Sequence, residues 1–142
     1  MKKVFALALI LTVFQLAKAQ KLEMEAEPKA EKGVPVLAFA EEAYDFGDIT
    51  QGDKVTHVFK FKNEGSVPLL ISNVQTTCGC TVPEWPKTPI PPGAESEIKA
   101  TFNSSGKMGQ QNKVITIHSN ASEPVSRVML KSNVLPKDAA QN

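Results

Sequence analysis

The chain has 142 residues, 16 basic and 15 acidic side chains, and a formal charge of +1. That balance, with no polybasic run, excludes the concentrated basic face that displaces counterions from nucleic acid or grips an anionic membrane. The length suits one ordinary domain, which can bury a core without several disulfides.

The N-terminus reads as a secretory leader over residues 1–19. Lys2 and Lys3 give a positive start, and Val4 to Phe14 form an apolar run interrupted only by Thr12. Ala17-Lys18-Ala19 then offers the small-x-small pattern of a signal peptidase site, leaving Gln20 as the new terminus. Cleavage removes three lysines and takes the formal charge from +1 to −2. The apolar run is shorter than the ~20 residues of a bilayer-spanning helix, so no integral membrane span is expected afterwards. These features predict an exported protein, periplasmic or extracellular. Residues 20–34 are rich in Glu, Lys and Ala and are expected to form a charged flexible tether. Residues 136–142 read as a polar tail.

From 35 to 135 the pattern is β throughout. Val36 to Phe39 and Tyr44 to Gly47 open it. Along the next run Val55, His57, Phe59 and Phe61 share one face and Lys54, Thr56, Lys60 and Lys62 the other, with Val58 the exception. Alternation with period two marks a strand with one buried face. Asn63-Glu64-Gly65 supplies a turn before Pro68 to Val74 resumes. Later, Ile98, Ala100 and Phe102 alternate with polar residues, Val114 to Ile117 form a β-branched run, and Val128, Leu130 and Val134 share a face. The expected fold is an all-β, immunoglobulin-like antiparallel sandwich of about seven strands, with a small barrel as the alternative.

Taken together, several motifs resemble a known family. They are Tyr44-x-Phe46-Gly47-x-Ile49-x-x-Gly52, His57-x-Phe59-x-Phe61-x-Asn63-x-Gly65-x-x-Pro68-Leu69, Cys78-Gly79-Cys80-Thr81-x-Pro83-x-Trp85, Pro89-Ile90-x-Pro92-Gly93 and Phe102-Asn103 with Gly106. In order and spacing they are similar to the secreted bacterial domain of unknown function 1573, over about residues 36 to 135. The resemblance implies an immunoglobulin-like sandwich akin to those of major sperm protein and of ciliary and centrosomal proteins. It implies no activity. The glycines of the first two motifs fall where turns need positive φ or close backbone approach, so these elements read as folding signals.

Cys78 and Cys80 are the only cysteines, and their chemistry is open in three directions. Export makes a tight disulfide the default, with Gly79 removing a Cβ that would oppose the bend and a local turn bringing the Cα atoms within range. So short a loop gains little stability and is easier to reduce than an ordinary bridge, which suits a structural staple or a redox pair. Alternatively, two thiolates could hold copper or help hold zinc, given further ligands from His57, His118, Met108 or Met129. Buried reduced thiols, or thiols paired between molecules, are the third direction. Trp85 follows between Pro83 and Pro86, inside a stretch with five prolines from Pro83 to Pro92. It could cover the cysteine loop, anchor the proline-rich connection with its N–H on backbone, or, with Gly79, meet a partner.

No nucleophile, base and orienting group can be assembled from two strand-borne histidines, and no glycine-rich loop opens a helix for phosphate. Asn103-Ser104-Ser105 and Asn120-Ala121-Ser122 match the glycosylation pattern and read as chance turn sequences. The expected function is a non-catalytic exported module binding a protein or cell-envelope component, with no cofactor. The alternative is a periplasmic thiol redox or copper-handling protein using Cys78 and Cys80.

Overall fold

The computed structural model describes residues 33–138. The expected leader, most of the tether and residues 139–142 of the tail lie outside the described residues. Eight strands form: β1 (Leu37–Phe39), β2 (Ala43–Thr50), β3 (Lys54–Asn63), β4 (Ile71–Thr76), β5 (Thr81–Glu84), β6 (Glu95–Asn103), β7 (Gly109–Ser119) and β8 (Val125–Leu135). Seven occupy the stretches that alternation marks. The eighth, β5, has only four residues and contains Pro83, so it carries almost no periodic signal.

The strands make two four-stranded sheets, ordered β1-β3-β6-β5 and β2-β8-β7-β4. One pairing departs from an all-antiparallel sandwich: β2 runs parallel to β8. Its cause lies in the link from β1. The chain pairs with β3 up to Phe39, crosses to the other sheet through Ala40 to Glu42, and keeps its direction, so it meets β8 pointing the same way.

Inward faces supply the core. Phe59, Leu69, Ile98, Ile115 and Ile117 are fully buried, with Phe61, Phe102, Val128, Leu130 and Val134 nearly so. Burying each such side chain stabilises the fold by roughly 1.5–3 kcal/mol relative to exposure. Ser132 occupies the one inward position of β8 between Leu130 and Val134 that is polar.

Two buried polar residues account for the folding motifs. Asn63 ends β3 and is wholly buried. Its Nδ2 donates to the carbonyls of Val67 (2.8 Å) and Ile90 (3.0 Å), and its Oδ1 accepts from the N–H groups of Gly65 (3.0 Å) and Val36 (3.3 Å). One side chain thus ties three separate segments together. Gly65 is needed because a Cβ there would collide with backbone of the incoming chain, the Val34 carbonyl and Pro35 Cα among it. At the other end Ser104, also wholly buried, accepts from Gly52 N–H (3.0 Å), and its hydroxyl lies 3.0 and 2.9 Å from the carbonyls of Thr50 and Asp53. It fastens the β2–β3 turn, where Gly52 has a φ of 100°. The two glycosylation-like asparagines also serve turns. Asn103 accepts from Ser105 N–H, and Asn120 bonds the backbone of Leu70 and Pro68.

Candidate functional site

The motif that the core does not absorb is Cys78-Gly79-Cys80 with the strand that follows. Thr76, at the end of β4, sets the loop: its hydroxyl lies 2.9 Å from the Cys78 carbonyl and 3.1 Å from that of Thr81. The Thr81 N–H donates to Cys78 O (3.3 Å), closing the expected local turn. Within it the two sulfurs are bonded to one another, with the Cα atoms 5.3 Å apart. Cys80 packs against the core, while Gly79 stands at the exposed tip. The φ of Gly79 lies outside the left-handed region, and beyond its two flanking cysteines a Cβ there would meet nothing within 4 Å.

Backbone direction decides what the neighbouring edge can do. Asn103 N–H donates to Cys80 O (2.8 Å), so by alternation the backbone groups of Cys80, Val82 and Glu84 face β6. Those of Thr81 and Pro83 face away from the sheet. Thr81 has both groups occupied within its own loop, and Pro83 has no N–H to offer. The β5 edge is therefore closed to strand addition. Side chains are what this edge presents to its surroundings.

Those side chains form a shallow surface. A cavity of about 260 Å³ opens between the starts of β3 and β5 and the end of β6, lined by Lys54, Gly79, Cys80, Val82, Thr101 and Asn103. Val82 is 58% exposed at its rim, unusual for a valine in a strand. Glu84 pairs with Lys99 across the β5–β6 ladder at 2.9 Å.

Trp85 packs half-buried against the core. Lys87 Nζ lies 2.8 Å from its ring centroid, a cation–π contact. Its indole N–H is buried without a partner, in contrast to the expected bond to backbone. Leu69 and Ile90 form an isolated bridge, which anchors the proline-rich connection by backbone bonds in both directions.

The other residues weighed as metal ligands serve elsewhere. His57 lies on the inward face of β3, donates from Nε2 to Glu41 Oε1 at 2.6 Å and stacks on Tyr44 with centroids 3.7 Å apart. Phe59 and Phe46 meet the same imidazole edge-on. His118 lies on β7 with a buried Nε2 lacking a partner, Met129 lies on β8, and Met108 is 54% exposed just before β7. Among the described residues, no three of His, Cys, Asp and Glu gather as a metal-binding group. Lys113, near the Phe102 ring, is the one side chain among them with a clear pKa shift, lowered by burial and then by the charge of Lys107.

The motifs, in their order and spacing, match residues 37–134 to the family described as Protein of unknown function (DUF1573). The chain belongs to this family. No curated protein matches it in sequence. Among solved structures it is similar to a protein of unknown function from Porphyromonas gingivalis W83 (TM-score 0.59, 21% identity), over 71% of this chain and 46% of that one. It is also similar to the ASH / PapD-like domain 7 of human CEP192 (TM-score 0.60, 8% identity), over 81% and 96% of the two chains. A third similarity is to the YadV chaperone (TM-score 0.50, 15% identity), over 71% and 52%. This DUF1573 chain thus spans under half of the Porphyromonas gingivalis protein, and the likeness in each case is one of fold.

Proposed function

We propose that this DUF1573 protein is an exported, non-catalytic immunoglobulin-like module that binds another protein, or a protein component of the cell envelope, in the periplasm or outside the cell. One observation carries the reading. Motif residues such as Asn63, Gly65 and Gly52 are spent on holding turns and loops, whereas the Cys78-Gly79-Cys80 turn sets an exposed glycine at the surface. The exposed Val82 beside it and the closed β5 edge support contact through side chains at this surface. One protein of similar fold, YadV, is a chaperone, which supports a protein ligand at the level of fold analogy alone. The leader motif supports export.

A photo-crosslinking residue placed at Val82, beside a control at Val125 on the other sheet, tests this in cells expressing the full chain. The expected result is a discrete adduct from position 82 that disappears when Lys54 and Thr101 are both replaced by glutamate. Equal adducts from both positions, or none, would remove this surface as the interface. The purified periplasmic or secreted form should begin at Gln20; a retained leader would remove export.

A further inference from the structure

We propose that the Cys78–Cys80 pair is a thiol–disulfide exchange site, in which a partner protein's thiolate attacks Cys78 and Cys80 is the leaving sulfur. The proposal deepens the binding reading by naming the partner's chemistry, an accessible dithiol, and rests on that surface meeting a protein.

Three features of the loop carry it. The pair is open to approach: Gly79 is exposed, and Cys78 and Cys80 on either side of it are each only partly buried. The two sulfurs are also unequal. Cys78 sits in the turn, whereas Cys80 starts the strand side and packs against the core. Finally, Cys80 lines the same cavity as Lys54, the single charged side chain among its lining residues. A neighbouring cation stabilises a thiolate, and a stabilised thiolate leaves faster.

The step is balanced within the two proteins. The partner's first thiolate forms a bond to Cys78 Sγ as the Cys78–Cys80 bond breaks, and the electron pair goes to Cys80 Sγ, whose residue lines one cavity with Lys54. The partner's second thiolate then attacks its own sulfur in the mixed disulfide and releases Cys78 as a thiolate. Two electrons pass from the partner dithiol to the loop, the partner ends as a disulfide, and both loop cysteines take up protons from water. The hydrogen bonds of the Thr76 hydroxyl and the Thr81 N–H involve no sulfur, so the exchange itself breaks none of them.

The test uses the full mature chain and glutathione as the probe, with acid quenching, alkylation and intact mass. The wild-type loop should open in a glutathione buffer that leaves an ordinary structural disulfide closed. Lys54→Gln should slow that opening by about threefold, with an unchanged denaturation midpoint. With glutathione disulfide as the reagent, which releases one glutathione thiolate per adduct, Cys80→Ser should form its adduct at Cys78 about tenfold faster than Cys78→Ser forms one at Cys80. A loop that stays closed in reducing glutathione, a loop that is found reduced and cannot be oxidised, or equal adduct rates in the two serine variants would each overturn the proposal. Crosslinking from Val82 reads binding without regard to sulfur chemistry. Its survival alongside a failed exchange assay would leave the interface standing and discard only the redox step.

Discussion

The Asn63 carboxamide donates to the carbonyl of Ile90 at 3.0 Å, across 27 residues of chain and at zero exposure. The same side chain satisfies three more backbone groups, so removing it strands several buried donors and acceptors at once. Each such orphan costs about 1–3 kcal/mol. Asn63→Leu should therefore lose roughly 3 kcal/mol or more, read from urea denaturation. Asn63→Asp should fare no better, because a carboxylate cannot donate to Val67 and Ile90. A loss below about 1 kcal/mol in either variant would mean that the hub is not what joins these loops.

Gly65 and Gly79 make opposite predictions from the same substitution. A Cβ at Gly65 would come within 2.6 Å of Pro35 Cα and Val36 N, backbone atoms that cannot rotate away. Gly65→Ala should cost about 2 kcal/mol or more. A Cβ at Gly79 meets open space, so Gly79→Ala should stay within about 0.5 kcal/mol of wild type. Thermal midpoints of the two variants settle it, and similar losses in both would contradict the close approach.

Tyr44 stacks on His57 with ring planes 7° apart, joining an edge strand of one sheet to the inward face of the other. Tyr44→Ala should lose about 1–2 kcal/mol, and Tyr44→Phe, which keeps the ring, less than about 0.5 kcal/mol. Equal losses in the two variants, measured by chemical denaturation, would point to the hydroxyl and away from the stacking.

Period-two alternation made β3, β6 and β8 legible, since their inward residues Phe59, Phe61, Ile98, Phe102, Val128 and Leu130 are the buried ones. Alternation says which face is buried and nothing about which strand lies alongside, so the parallel β2–β8 pair could not be read from it. Neither could β5, where proline and short length erase the pattern. The motif spacings were visible, but the work of Asn63 and Ser104 depends on partners 27 to 54 residues away that only folding brings near. At the candidate site the cysteine pair announced itself through its spacing. The closed β5 edge did not, because it depends on which backbone groups point outward, and the exposure of Val82 depends on that same unrecognised strand.

The Cys78–Cys80 bridge closes the shortest kind of loop, with a sequence separation of 2. Chain-entropy stabilisation for three residues amounts to about 1.6 kcal/mol, against roughly 3 for fifteen. The turn also has holds of its own, through the Thr76 hydroxyl and the Thr81 N–H, which the loss of sulfur leaves in place. Cys78→Ser with Cys80→Ser should thus lower stability by less than about 2 kcal/mol and leave the far-ultraviolet circular dichroism of the sandwich unchanged. Reduction of the wild-type chain should lower its denaturation midpoint by the same amount as the double substitution. A double variant that fails to fold would make the bridge a structural requirement, and the reason for its solvent-open position would then have to be sought in folding and not in contact with a partner.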